Sequence, residues 1–572
     1  MDNRGFMVVT IIFMGLMAWL FLFQNPGSQP AATTTAQSQG EPAMASPSAK
    51  ELDDFAAGAA VIPVWETPTR QITVTTPNYV AVFDEQGGRL ASFTLNNYSK
   101  RKVNPELPDQ QVNLVAQPNR DDWPMRLSFN DLKAPPLEIA AFRADRESLT
   151  LGPGESGHLT MTFQDAGGLT VTRQLSFSGD NFLINQRVTL KNGGTETLES
   201  GNSSNPLLLT MRLNSAPFTG KPGRYNEMGA YINNRLVVDS ADDAGKTLGD
   251  YRGKLNRVDW IGYMDQYFLT ALVLPDPDQS PETTPPYLRA VYQDHKGLAV
   301  EAARPLGLAP GKEASFDFDF YYGPKSNNDL KAAGHNLSKS VDLGWFSFLA
   351  TPLAALLRWI YNWVGNYGVA IILVTVLIKI LLWPLTAKSY RSMKEMQKLS
   401  PKINKLREKY ADDKEAMNRE IMQLYKTFKI NPLGGCLPML LQIPFFIAFY
   451  RVLDSLLELR GAPFMLWIQD LAAPDRLFSF NFSIPFFEPP TGIPVLTLLM
   501  GASMVLQQKM TPNTMGDPMQ AKMMMMMPIV FTFILINMPA GLVLYWLVNN
   551  ILSIGQQTLI NRPPKAPAGA QG

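Results

Sequence analysis

Residues 372–385 read ILVTVLIKILLWPL, an apolar run interrupted by a single lysine. A charge at the centre of a membrane helix costs about 2.5–3.5 kcal/mol even on a lenient insertion scale. Whether Lys379 carries that cost depends on whether the segment spans a bilayer, which way it runs, and what faces it. Bulk composition is no guide. A net charge of +1 over 572 residues suits an ordinary soluble chain, but it pools two unlike halves. Residues 60–335 are polar and strand-patterned, whereas 343–560 hold repeated apolar runs with charges collected between them.

Orientation follows from those charges. Between Lys388 and Lys429 there are 12 Lys and Arg against 6 Asp and Glu, while 458–492 holds only Arg460 and Arg476 as basic residues. Cytoplasmic loops carry the excess of Lys and Arg, so 386–432 is expected inside and 458–492 outside. The apolar runs 369–385, 433–453, 493–506, 523–538 and 540–554 then alternate across a membrane, with 507–522 and the C-terminus inside. Counting back puts the polar half outside and the N-terminus inside. Gly5–Phe23 is a further apolar run of 19 residues behind Arg4. At 1.5 Å per residue it reaches ~28 Å, and no small-x-small site follows it, so it reads as an uncleaved anchor rather than a cleaved signal. The expected topology is six spans.

Residues 24–60, rich in Pro, Ala, Ser, Thr and Gln, read as a flexible linker. Strand periodicity follows. Leu159, Met161 and Phe163 alternate with polar residues, as do Leu169, Val171, Leu175 and Phe177, then Phe182, Ile184, Val188 and Leu190, with DAGG and KNGG as turns. Residues 61–340 are expected to form one large antiparallel β-sandwich. In 343–366, Leu343, Phe346, Leu353, Leu356, Leu357 and Ile360 fall at helical spacings with Trp345, Trp359 and Trp363 nearby, the pattern of an interfacial amphipathic helix. Within 387–432, one apolar stripe (Met393, Met396, Leu399, Ile403, Leu406, Tyr410), the sequence ADDK and a second stripe (Met417, Ile421, Leu424, Phe428) predict a helical hairpin.

Several spans look short. The runs 493–506 and 540–554 reach only ~21 Å and ~22 Å as helix, below a ~30 Å hydrocarbon core, and Gly434, Gly435, Pro438 and Pro444 interrupt the run at 433–453. Polar residues gather as well. Trp546, Asn549, Asn550, Ser553, Gln556 and Gln557 fall within a ~120° face of the last span, and Thr375 lies one turn from Lys379. Gln442 sits in the interrupted span, and Gln507 and Gln508 end the fourth. Each amide alone reads best as an interhelical hydrogen bond. The set around a lysine reads as a hydrated pocket. The next basic residue, Lys388, is nine positions on, ~13 Å along a helix and beyond a lysine's reach, so snorkelling is strained.

No Asp or Glu lies inside any apolar run, which removes an ion-pair partner for Lys379 and weighs against an ion-coupled small-solute transporter, the alternative reading. One cysteine, Cys436, and three histidines, all in the polar half, leave no disulfide framework and no His-based site among the spans. No phosphate-binding loop occurs, and neither cofactor nor metal is expected. Ser553 with Lys379 lacks any protease motif around it.

The membrane half resembles the YidC-type membrane protein insertases. The stretches that carry the likeness are LLRWIYNWVGNYGVAIILVTVLIKILLWPLTAKSYRSMKEMQKLSPKI, KINPLGGCLPMLLQIPFFIAFYRVL, ELRGAPFMLWIQDL, DPMQAKMMMMMPIVFTFILINMPAGLVLYWLVNN and QQTLI. The anchor and large β-domain resemble the Gram-negative form, in which that domain is periplasmic, and DEQGGRLASFTLNNY fits its early strands. The resemblance implies an insertase and chaperone of the inner membrane, not an enzyme. It implies a positively charged groove open to cytoplasm and lipid, lined by Lys379, Thr375, Gln442, Gln507, Trp546, Asn549, Asn550 and Ser553. The implied partners are nascent membrane proteins, the Sec translocon (SecYEG, SecDF), the ribosome, signal recognition particle components and membrane lipids. The corresponding layout is anchor 1–23, linker 24–60, periplasmic domain 61–340, interfacial helix 343–366 and spans 367–386, 433–457, 493–508, 523–538 and 540–558. Between them lie the hairpin 387–432, a periplasmic loop 458–492, a cytoplasmic loop 509–522 and a tail 559–572. A member of that family has arginine where this chain has Lys379, so the charge is kept and the planar five-donor fork is not. The tail, with only Arg562 and Lys565, implies no strong ribosome tether.

Overall fold

The computed structural model describes residues 70–99, 111–115, 123–131, 134–199, 207–215, 227–240, 247–251, 257–274, 287–292, 298–410, 413–428, 437–480, 487, 491–510 and 518–561. The expected anchor and linker lie outside them, as do Cys436 and the C-terminal tail beyond Asn561, while residues 559–561 of that expected tail belong to the last helix. The described residues fall into two compact units, one ending at Val341 and one beginning at Asp342.

The first unit is built of sheets. Its largest has nine strands in the order Arg235–Ser240, Glu227–Ile232, Val258–Met264, Phe268–Val273, Glu313–Pro324, Leu183–Asn192, Leu169–Ser178, Ser156–Gln164 and Arg143–Ala144. Two five-stranded sheets pack against it. One, built around Tyr79–Asp84 and Arg89–Ser99, meets it through Phe83 against Phe177 and Tyr79 against Phe182. The other, built around Leu207–Ser215 and Leu298–Leu306, meets it through the hydrogen bond between the hydroxyls of Ser215 and Thr270, 2.6 Å. The second layer is thus split, and one pairing, Gln71–Thr75 with Ser148–Thr150, is parallel. A short helix, α1 (Asn327–Ala333), follows the last strand.

The alternation in Leu169–Ser178 runs further than its apolar residues suggest. Leu169, Val171, Leu175 and Phe177 are buried as expected, and Arg173 between them faces the same core, fully buried. Its guanidinium donates to Gly87 O at 2.5 Å, Met125 O at 2.9 Å and Gln186 Oε1 at 3.3 Å. No carboxylate among the described residues bonds to it, and burial alone pushes its pKa down to about 9. Its charge rests on backbone carbonyl dipoles.

The second unit is helical. α2 (Ser347–Val364) buries Ala350, Leu353, Ala354, Leu357 and Ile360 against α3 (Tyr367–Lys409) and α5 (Leu437–Ser455). Its opposite side presents Phe348, Trp359 and Trp363, with Trp345 just before it 92% exposed, so the tryptophans lie away from the packed stripe. Arg358 of α2 pairs with Glu458 at 2.9 Å. The remaining helices are α4 (Lys414–Thr427), α6 (Val495–Met510), α7 (Pro518–Ile534) and α8 (Ala540–Asn561).

Three expectations change here. The boundary drawn between span and hairpin at 386/387 falls inside α3, which runs unbroken for 43 residues through Pro384 and Pro401. The first arm of the hairpin is therefore a rigid continuation of the span. The run at 433–453 is not broken over its described part, because α5 is continuous through Pro438 and Pro444. The last helix also outruns its apolar run 540–554: α8 has 22 residues, about 33 Å. Its polar end stays helical because Gln556 and Gln557 find partners on neighbouring helices. α6 remains short at 16 residues, about 24 Å. Tyr367–Leu399 is long and apolar enough to cross a membrane.

Candidate functional site: a buried ammonium between two helices

Lys379 lies on the face of α3 that meets α8, 7% exposed. Its ammonium donates to Asn549 Oδ1 at 3.1 Å and to Ser553 Oγ at 2.6 Å. Asn549 and Ser553 are one turn apart on α8, which is why both reach one ammonium. Ser553 passes its own proton to Asn549 O at 2.7 Å, leaving its oxygen lone pairs toward the lysine. Both oxygens facing the ammonium are neutral, and no carboxylate among the described residues bonds to it.

Thr375 lies one turn before Lys379 and is 2% exposed, but its hydroxyl donates to Ile371 O at 2.6 Å, within its own helix. It shapes the wall beside the ammonium and offers no free donor. Thr386, at the same helical phase eleven residues on from Thr375, accepts from Gln556 Nε2 at 2.8 Å. The spacing 375, 379, 386 marks this face, and the Thr386 contact was missed because Thr386 lies one residue past the apolar run 369–385.

The polar face of α8 is not one surface. Asn549, Ser553 and Gln556 turn toward α3. Asn550 Nδ2 donates instead to Ser503 Oγ at 3.0 Å, and Gln557 Nε2 to Met510 O at 2.8 Å, both on α6. A ~120° arc is wide enough to straddle two neighbours. Asn550 is 3% exposed and bonded across helices, apart from the ammonium. Ser503 was not anticipated; the small residues around it in GAS (501–503) were the available signal of close helix approach.

Trp546 sits elsewhere again. Its ring packs edge-on against Phe446 of α5 at 4.8 Å and tilts against Phe531 of α7 at 5.8 Å. Gln442 hydrogen-bonds Tyr545 beside it. Gln507 is half-buried on α6. The structure therefore joins Lys379, Asn549 and Ser553 directly, with Thr375 adjacent. It places Gln442 and Trp546 together at an aromatic contact, and it assigns Asn550 to a separate α6–α8 link. Among the described residues no cluster of three His, Cys, Asp or Glu could hold a metal ion.

Comparison with known proteins gives two family matches: the 60Kd inner membrane protein family over residues 359–567 and the YidC periplasmic domain over residues 71–356. A membrane protein insertase YidC of Pelobacter propionicus is 39% identical over 98% of this chain and 99% of its own length. One of Geobacter sulfurreducens is 40% identical over 85% of both chains. A solved YidC insertase, crystallised with its first transmembrane domain resolved, covers 89% of this chain at 17% identity and a TM-score of 0.35. The small-solute transporter alternative finds no support among them.

Proposed function

The chain belongs to the YidC family of membrane protein insertases, and from that premise we propose that the Lys379 pocket is where the polar segment of an incoming membrane protein is held. The family is one of inner-membrane proteins with a periplasmic domain, and the sheet unit of this chain is that domain. The observation that carries the proposal is the ammonium of Lys379, buried between α3 and α8 against two neutral oxygens. A buried cation without an opposite charge is costly, and an acidic side chain entering beside it supplies the missing partner. An incoming carboxylate adds direct ion-pair attraction to what the two neutral oxygens already give the ammonium.

Six spans with both termini cytoplasmic remain the topology that the loop charges support. Under it the short α6 thins the bilayer locally, which lowers the cost of bringing a polar segment part-way across. Lys379 attracts that segment from the cytoplasm, Gln442, Gln507, Trp546 and Asn549 flank its path, and the new apolar helix leaves sideways into lipid. Partitioning into lipid drives the step. No nucleotide, metal or cofactor enters, and the chain acts as an insertase and not as an enzyme. Beyond Lys388, α3 carries its basic residues out to Lys409, about 31 Å along its axis, with α4 folded beside it. That rigid arm suits contact with the ribosome and signal recognition particle components, and the Sec translocon is the partner expected within the membrane.

A photocrosslinker in place of Asn549 or Gln442 tests the reading during translation of single-span proteins. Adducts to the nascent chain are expected. Adducts confined to lipid or to this chain's own helices contradict it.

A further inference from the structure

The outer loop after α5 carries an apolar surface that insertion as described above does not use. Met465, Leu466 and Phe478 are 54%, 76% and 70% exposed. Leu466 and Phe478 also hold positive φ angles of 55° and 54°, a region that bulky side chains rarely enter. Both are fixed there by their surroundings. Phe464 N–H donates to Ile468 O at 2.9 Å and Ile468 N–H to Met465 O at 3.1 Å, closing a tight loop with Met465 and Leu466 at its tip. Phe478 occupies the register shift between Leu477 and Ser479 in the two-stranded ribbon with Thr491–Ile493, a bulge that re-aims its ring.

Hydrogen bonds fix the depth of this loop relative to the helices. Asn366, the N-cap of α3, donates to Phe464 O at 3.0 Å. Ala540 and Gly541, opening α8, donate their N–H groups to Ala473 O at 2.7 Å and Leu471 O at 2.8 Å. Asp475 accepts from the N–H of Leu496, at the start of α6, and from Trp467 Nε1 at 2.6 Å. The loop therefore crosses the end of the bundle at which α3, α6 and α8 all begin. Gly368 is what lets it sit so low, since a Cβ there would lie 2.0 Å from the Phe464 ring. Within about two turns of those helix starts come the exposed apolar side chains Leu373 on α3 and Leu498 on α6. On the topology that puts this end of the bundle outside, a loop tied to those helix starts stands where a bilayer passes from acyl chains to headgroups.

We propose that Met465, Leu466 and Phe478 dip into the outer leaflet, so that lipid anchors this loop as a clamp across the three helix starts. Water gives those side chains no return for the backbone conformations they hold, whereas shallow immersion gives each its hydrophobic transfer. The proposal rests on the topology that places 458–492 outside.

The test uses the full chain with Cys436→Ser and a single environment-sensitive fluorophore on Leu466→Cys, Phe478→Cys or, as an exposed control in the same loop, Gln469→Cys. The protein is reconstituted in phosphatidylethanolamine–phosphatidylglycerol vesicles with iodide in the buffer on both sides, or with lipids bearing a nitroxide high on the acyl chain. Lipid nitroxide is expected to quench the 466 and 478 probes several-fold more than the 469 probe, with iodide giving the reverse order. Iodide quenching of all three alike, or shielding of 466 and 478 from both quenchers, overturns the anchor. Labelling of Gln469→Cys by an impermeant maleimide on spheroplasts reports the side separately. If that labelling fails, the topology fails; if it succeeds while 466 is wet, only the anchor fails.

Discussion

Lys379 is held by two neutral oxygens, and its charge is the feature that distinguishes this contact from the other polar links of α8. Lys379→Leu should lower insertion of substrates with an acidic polar segment about tenfold, the loss of one hydrogen bond to a charged group. Lys379→Arg should stay within a factor of about two, since plain attraction survives the change of donor shape. Protease protection of substrates in inverted vesicles checks both. Much of this residue was legible in the sequence: its depth came from the distance to Lys388, and its lack of an acidic partner from the composition of the runs. The role of Thr375 was not, because a threonine in a helix can turn its hydroxyl onto its own backbone, and no spacing rule excludes that. Arg173 was missed for a related reason. Its position in the strand alternation was plain, but a buried cation resting on carbonyls carries no sequence mark. Arg173→Ala should destabilise the periplasmic unit by about 3 kcal/mol or more, through a cavity and two orphaned carbonyls, whereas Arg173→Met should cost clearly less by filling the space without a charge. Urea unfolding followed by tryptophan fluorescence separates the two.

At the scale of elements, polar contacts decide where helices end and which neighbours they keep. α8 runs past its apolar stretch with Gln556 and Gln557 each donating to a neighbouring helix, α3 and α6, and α3 runs past the expected membrane boundary with no glycine between Pro384 and Lys409 to end it. Apolar run length measures the membrane crossing and not the helix, so both ends were misjudged from sequence alone. The helices in 343–366 and 387–432 were legible because their apolar residues recur at helical spacing. The Asn550–Ser503 link makes a separable prediction. A double-mutant cycle with Asn550→Ala and Ser503→Ala should give a coupling of about 0.6–1.7 kcal/mol in detergent unfolding, with insertion by each single variant nearly unchanged. A large loss of insertion from Asn550→Ala alone would instead return that residue to the substrate path.

For the whole molecule, the division into a sheet unit and a helical unit follows from the two kinds of patterning, period two before Val341 and apolar helical runs after it. The nine-stranded sheet with its split second layer was beyond reach, since strand order depends on pairings far apart in the chain and alternation does not specify partners. The proposed function rests on the positive charge of Lys379 in the helical unit, to which no carboxylate among the described residues bonds. The most direct test is a charge swap between Lys379 and the substrate. A single-span substrate with one acidic residue in its translocated segment is paired with wild-type or Lys379→Glu protein, then the substrate's acid is replaced by lysine and both pairings are repeated. The account predicts that Lys379→Glu impairs the acidic substrate and that the lysine substrate recovers insertion on the Lys379→Glu protein. Equal insertion in all four combinations, or loss with both substrates alike, would contradict it.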